Sequence, residues 1–319
     1  MKKAVRNTAY ALCAGTLCIS TIMYRTGVSR KLYVLPKLMK LVQTRSAGQQ
    51  QFEKVRHVYN EGCDWFRSQG SELKKLRSFD GLALYADYLP YPGSKTTVIL
   101  CHGYRSTGLG DFGGIVRYIH EQLRLNILLI DERSHGKSEG SHMTYGIKER
   151  FDICDWANMI AREHPDHKIF LYGMSLGAAS VLMSTTTDLP KSVCGLIADC
   201  GFTSPDDVFR SVCRSMYHLP PFPFVDIAEV FTKIFAHFDC KQCSAAQALK
   251  NNDIPVLFIH GGADDFVPTW MSRKNFAACR SEKELVIIDG AYHANSYYVD
   301  FERYTDAFGA FIEKHGTGE

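Results

Sequence analysis

Lys168-Ile-Phe-Leu-Tyr172 runs into Gly173-Met174-Ser175-Leu176-Gly177, and Ala178, Ala179 and Ser180 follow at once. The run from Ile169 to Tyr172 is continuously apolar and reads as a buried strand, while the alanines after the second glycine start a helix well. A serine on so tight a strand-to-helix turn must take a strained backbone. Glycines two residues before and two after it let strand and helix crowd together. The turn lifts the hydroxyl out of the sheet and aims the first helix amides at it. Gly-x-Ser-x-Gly alone is a weak signal; between a buried strand and a helix it marks a nucleophile.

Outward from this turn, short β-rich runs alternate with longer amphipathic stretches, the pattern of a mostly parallel sheet with helices on both faces. Residues 98–101, 127–130, 169–172, 194–198, 255–259 and 284–288 read as buried strands. An opening hairpin is expected from residues 75–79 and 82–88 around Asp80-Gly81. Residues 49–67 and 148–163 read as helices. More than 50 residues separate the strand ending near Ala198 from the one starting near Pro255, too many for one crossover helix. Helical patterns at 206–217 and 228–238 flank Pro220, Pro221 and Pro223, so a helical cap is expected at about 204–250. The expected organisation is an arm, residues 1–48, and one α/β body, residues 49–319.

A serine hydroxyl is barely ionised at neutral pH. It needs a base, and the base needs a carboxylate to orient it. The strand at 255–259 leads into His260-Gly-Gly-Ala-Asp264-Asp265-Phe-Val-Pro268, and that at 284–288 into Asp289-Gly-Ala-Tyr-His293. Of the 12 histidines, His293 alone combines this position with this context, whereas His260 comes too early and reads as structural. Asp264 and Asp265 are both placed to be the acid; Asp289 is too close to His293 in sequence.

Taken together, these motifs resemble the α/β-hydrolase superfamily, specifically capped serine hydrolases of the lysophospholipase-like, monoacylglycerol-lipase-like and serine-aminopeptidase-like kind. The resemblance runs from about Leu73 to Ile312. It carries His102-Gly103-Tyr104, Asp131-Glu-Arg133-Ser-His135-Gly136-Lys-Ser138-Glu-Gly140, the turn at Ser175, Asp264 before Phe266-Val267-Pro268, and Gly290-Ala-Tyr-His293. It implies an α/β-hydrolase fold, a triad of Ser175, Asp264 and His293, and an oxyanion hole made by the backbone N–H groups of Tyr104 and Leu176. It implies cleavage of carboxylic esters, acyl or lipid-like, through an acyl-enzyme, with no cofactor and no metal. Phe222 and Phe224 in the cap point to an acyl chain. A serine peptidase or aminopeptidase of the same fold is the alternative. It would need a carboxylate for the substrate's ammonium, and Asp206, Asp207, Asp226 and Glu229 are the candidates. A tethered, non-catalytic binding protein is the rival from another class, but it has no chemical need for all three triad groups.

Charge separates arm from body. Residues 1–52 carry nine basic side chains and no acid, leaving 28 basic against 34 acidic in the rest. A mildly acidic body argues against a nucleic-acid partner. Residues 7–24 hold no charge over 18 residues and carry Leu12, Leu17, Ile19, Ile22 and Met23 in their middle. They are expected to form a single membrane span, with a cleaved signal peptide and a buried or interfacial helix as the alternatives. Six basic residues after it, Arg25 to Arg45, lean the body towards the cytoplasm, as does the odd number of body cysteines. Cys240-Lys-Gln-Cys243 lacks the second pair a zinc site needs. Gly108-Leu-Gly-Asp-Phe-Gly113-Gly114 lacks dinucleotide-loop spacing.

Overall fold

The computed structural model describes residues 2–31 and 46–316. The chain begins with α1 (Lys2–Val28) and α2 (Ala47–Ser68), followed by β1 (Glu72–Arg77), β2 (Ala83–Leu89) and β3 (Thr96–Cys101). Next come α3 (Gly108–Phe112), β4 (Asn126–Asp131), α4 (Glu149–Glu163), β5 (Lys168–Met174), α5 (Leu176–Ser184) and β6 (Val193–Asp199). Between β6 and β7 (Val256–Gly261) lie α6 (Pro205–Ser215), α7 (Pro221–Phe235) and α8 (Ala245–Ala248). After β7 come α9 (Trp270–Ala278), β8 (Lys283–Ile288), α10 (Ser296–Val299) and α11 (Phe301–Gly316).

The strands form one sheet in the order β1-β2-β4-β3-β5-β6-β7-β8. β1 and β2 pair antiparallel, as do β2 and β4; every other pairing is parallel. The central strands are continuous apolar runs because both faces are covered. On one face Ile99, Leu171 and Phe258 meet Trp156 of α4 and Leu182 of α5; on the other Leu100 and Tyr172 meet Phe112 of α3 and Phe308 of α11. At the edge, β1 carries exposed Lys75 and Arg77, which discourage pairing with another sheet. Strand order reverses at β3 and β5, so the carboxyl ends of these two strands frame a crevice.

The amino-terminal helix corrects the membrane reading. Among the described residues no helix is long and apolar enough to cross a membrane. Residues 7–24 are uncharged without being apolar: Tyr10, Thr16, Ser20 and Thr21 interrupt the run. Ser20, Tyr24 and Val28, spaced by four, are buried as one stripe. Tyr24 meets Phe231 and Phe235 of α7 with ring centroids 5.9 and 6.0 Å apart. One buried stripe is how a helix lies on a folded body, whereas a span is apolar all round. Lys37, Lys40 and Arg45, which entered the orientation reading, lie outside the described residues.

Candidate active site

β5 delivers Ser175 on a turn that only glycine neighbours permit. A Cβ on Gly173 would sit 2.3 Å from the Gly177 carbonyl oxygen, and one on Gly177 would sit 1.9 Å from that of Cys101. Ser175 itself has φ +54°, a left-handed conformation costly for a residue with a side chain. Its N–H is tied to the Asp199 carbonyl at 2.8 Å, which pins the strained turn to β6.

The loop after β8 brings His293 to this serine. The Ser175 hydroxyl lies 2.9 Å from His293 Nε2, and His293 Nδ1 lies 2.7 Å from Asp264 Oδ2. The other Asp264 oxygen accepts the backbone N–H groups of Phe266 and Val267 at 3.0 and 2.9 Å. Burial opposes ionisation of Asp264. The neighbouring His293 and hydrogen bonds from His260 and His293 outweigh it and hold the carboxyl well below the usual carboxylate range. Burial likewise opposes protonation of His293, but the Asp264 carboxylate raises its pKa well above the ordinary 6.5. The hydrogen bonds thus separate the two adjacent acids: Asp264 is buried against the imidazole and Asp265 is exposed.

His260, read from sequence as structural, backs the acid. Its Nε2 lies 2.8 Å from the Val267 carbonyl and 3.1 Å from Asp264 Oδ2, while Nδ1 meets Ser272 Oγ at 2.6 Å. Nε2 with both oxygens as neighbours carries the proton.

The loop after β3 is held by Asp111, which sequence reading passed over, and by His102 and His135, which lie in the motifs it named. Asp111, inside the glycine-rich stretch set aside as a false dinucleotide loop, accepts the Gly103 N–H and the Ser106 hydroxyl, each at 2.5 Å. His135 Nε2 accepts the Arg105 N–H at 3.0 Å, and buried His102 meets the Gly103 carbonyl through Nδ1 at 2.8 Å. Among the described residues, the N–H groups of Tyr104 and Leu176 have no acceptor. Arg133 is a structural residue: it pairs with Asp152 at 2.6 Å and Asp80 at 2.9 Å. The only signal for Asp111 was an acid among glycines just after the β3 motif.

Two cavities meet at Ser175. One, of about 190 Å³, is almost wholly apolar and runs between α1, α6 and α7, with Val212, Val225 and Ala228 in its walls. The other, a larger and more polar cleft, runs past His293, Asp111, Asp265 and Asn295 to α2. Phe222 and Phe224 line neither, and Phe222 is 75% exposed. The cap acids also line neither cavity: Arg210 holds Asp206 and Asp226, Lys241 holds Glu229, and Lys274 holds Asp207.

Cys200, Asp264 and His293 are the one group among the described residues whose donor atoms gather closely enough for a metal, all within 4.8 Å of one another. Two of its three members are already bound into the hydrogen-bonded chain from Ser175, and burial pushes the Cys200 thiol up to about 11. Cys240 and Cys243 are buried free thiols outside any such group.

Residues 92–238 match the family described as serine aminopeptidase, S33. The chain is 29% identical over 224 residues to the uncharacterized protein YqkD of Bacillus subtilis, covering 69% of this chain and 72% of that one. Among solved structures it is similar to the Pyrococcus furiosus esterase Pf2001, with TM-score 0.64 and 21% identity, covering 78% of this chain and 92% of that one. It is also similar to the Pyrococcus horikoshii acylaminoacyl peptidase, with TM-score 0.57 and 17% identity, over 80% of this chain and 44% of that one. The shared feature is the fold: a mostly parallel sheet flanked by helices.

Proposed function

We propose that this chain, which has the α/β-hydrolase fold and is similar over residues 92–238 to the serine aminopeptidase S33 family, hydrolyses carboxylic esters of apolar acyl groups through an acyl-enzyme on Ser175. The observation that carries this reading is the unbroken hydrogen-bonded chain from Ser175 through His293 to Asp264, placed at the mouth of an apolar cavity. Ser175 Oγ attacks the acyl carbon as His293 Nε2 takes its proton. Asp264 stabilises the imidazolium and keeps Nδ1 protonated before the reaction. The free N–H groups of Tyr104 and Leu176 receive the oxyanion, a contribution typically worth ~10²–10³ in rate per donor. His293 then protonates the leaving alcohol and activates water for deacylation. The alcohol leaves through the polar cleft.

The ester reading is preferred over an aminopeptidase because the four cap acids that would hold a substrate ammonium are each paired with a basic side chain and line neither cavity. A fluorophosphonate probe tests the chemistry: it labels the wild type and not Ser175→Ala. p-Nitrophenyl esters of rising acyl length, run beside aminoacyl-nitroanilides, test the bond. Faster cleavage of the anilides would overturn the ester assignment, and no labelling of folded protein would overturn the hydrolase.

A further inference from the structure

The apolar cavity behind Ser175 is completed by a segment far outside the matched residues 92–238. Met23, Thr26, Gly27 and Val28, the last two turns of α1, form one wall. That end of the helix is fastened to the catalytic side of the molecule. The Tyr104 hydroxyl donates to the Thr26 carbonyl. Arg105 Nη2 donates to the Thr26 carbonyl at 2.8 Å and to that of Ser29 at 2.6 Å, and Nη1 reaches the Arg30 carbonyl at 3.1 Å. The Tyr145 hydroxyl donates to the Gly27 carbonyl at 2.7 Å. A guanidinium on the last carbonyls of a helix satisfies orphan acceptors and complements the negative end of its dipole. The residue doing so is the immediate neighbour of Tyr104, on the loop proposed to receive the oxyanion.

Gly27 is the informative position on this wall. Glycine inside a helix costs about 0.5–1 kcal/mol relative to alanine. Its backbone here is not left-handed, so no turn demands it. No close approach demands it either: a Cβ would meet only the Tyr145 hydroxyl, at an ordinary 3.7 Å. What the missing side chain leaves is space beside Tyr145, in the cavity that Ser175 also lines.

We propose that α1 is the specificity-determining wall of an acyl pocket, with Gly27 setting how long an apolar acyl chain the cavity accepts. This rests on the ester-hydrolase reading for its turnover but not for its binding. A side chain at 27 shortens the pocket, and trimming Met23 on the same wall lengthens it. Each methylene of mismatch in an apolar pocket is worth about 10- to 200-fold in discrimination.

The test uses the full-length chain and two readouts. The first is the ratio of kcat/KM for p-nitrophenyl dodecanoate over acetate. The second is equilibrium binding of radiolabelled dodecanoate to Ser175→Ala protein, which needs no catalysis. Gly27→Leu is expected to lower the ratio and weaken dodecanoate binding by at least about ten-fold. Gly27→Ala should fall between it and the wild type, and Met23→Ala should move the ratio the opposite way. Tyr10→Ala, an exposed position on the same helix, should keep the wild-type ratio and binding. Unchanged ratio and binding in Gly27→Leu, with the fold intact by circular dichroism, would overturn the proposal. So would an equal loss with both esters together with unchanged binding. If the wild type cleaves neither ester and takes no fluorophosphonate, yet Gly27→Leu still loses dodecanoate binding, the hydrolase reading fails and the pocket assignment stands.

Discussion

His260 Nε2 lies 3.1 Å from Asp264 Oδ2, on the same oxygen that meets His293 at 2.7 Å. With Phe266 and Val267 amides on the other oxygen, no rotation of this carboxylate is free of cost. The carboxylate is a fixed part, and the histidine that fixes it lies on β7, the strand that leads into its loop.

Ser175→Ala and His293→Ala are each expected to remove activity by ~10⁴-fold or more, with the double variant little worse than either. Asp264→Asn should lose less, and Asp265→Asn should stay within a few-fold of wild type because Asp265 is exposed. Steady-state kinetics on one short ester decide it. An inactive Asp265→Asn beside an active Asp264→Asn would reverse the assignment.

The pH profile follows from His293. The imidazole accepts the serine proton only when neutral, so kcat/KM should rise with pH through its pKa. That midpoint is expected above the ordinary 6.5, since Asp264 raises it. Asp264→Asn removes the cause and should move the midpoint of its residual activity downward. A midpoint that stays put in this variant would contradict the coupling.

Asp111 shapes the loop that carries Tyr104 by holding the Gly103 N–H. Asp111→Ala should lower kcat about ten-fold or more, within the range for losing an oxyanion donor, and leave KM little changed. The rate of fluorophosphonate labelling should fall alongside, since that reaction also builds an oxyanion. A change confined to KM would assign Asp111 to substrate binding instead.

Acid should destabilise the fold through buried neutral imidazoles. Burial pushes His102 down to about 3 from an ordinary 6.5. Between those values the unfolded chain binds a proton the native state refuses, so stability falls as pH drops. The slope is at most about 1.4 kcal/mol per pH unit for one such group. Carboxyls that burial raises, such as Asp152, and the raised His293 act the opposite way. Urea melts from pH 7.5 to 5 are therefore read as wild type against His102→Gln. The wild type should lose more stability on acidification, and equal pH dependence in the two would exclude the effect.

Arg133→Met should cost about 3–5 kcal/mol of stability, because it strands the buried carboxylate of Asp152. Thermal unfolding at neutral pH measures it. A shift near zero would mean that Asp152, pushed up to about 7 by burial, simply takes up a proton.

The sheet was legible because central parallel strands are apolar throughout. The runs at 98–101, 127–130 and 169–172 fall within β3, β4 and β5. Ser175 and His293 stood out because a turn with two required glycines, and a histidine just after the last strand, leave local marks in a sequence. Arg105 and Gly27 leave none, and Asp111 leaves only an acid among glycines. Their roles come from contacts across the fold, such as Arg105 with Thr26, 79 positions away. The arm misled for a different reason: an uncharged run with several apolar side chains was read as a span, while the buried stripe of Ser20, Tyr24 and Val28 occupies only one side.

The packing of Tyr24 on Phe231 also dictates an order of assembly. During synthesis α1 leaves the ribosome about 200 residues ahead of the helix it docks on, and domains form in step with the emerging chain. The stripe of Ser20, Tyr24 and Val28 therefore stays uncovered by α7 until residues 221–235 have been made, by which time β1 to β6 already exist. The end of α1 can be fastened sooner, because Tyr104, Arg105 and Tyr145 emerge before α7, so the helix is anchored at its tip before its flank is covered.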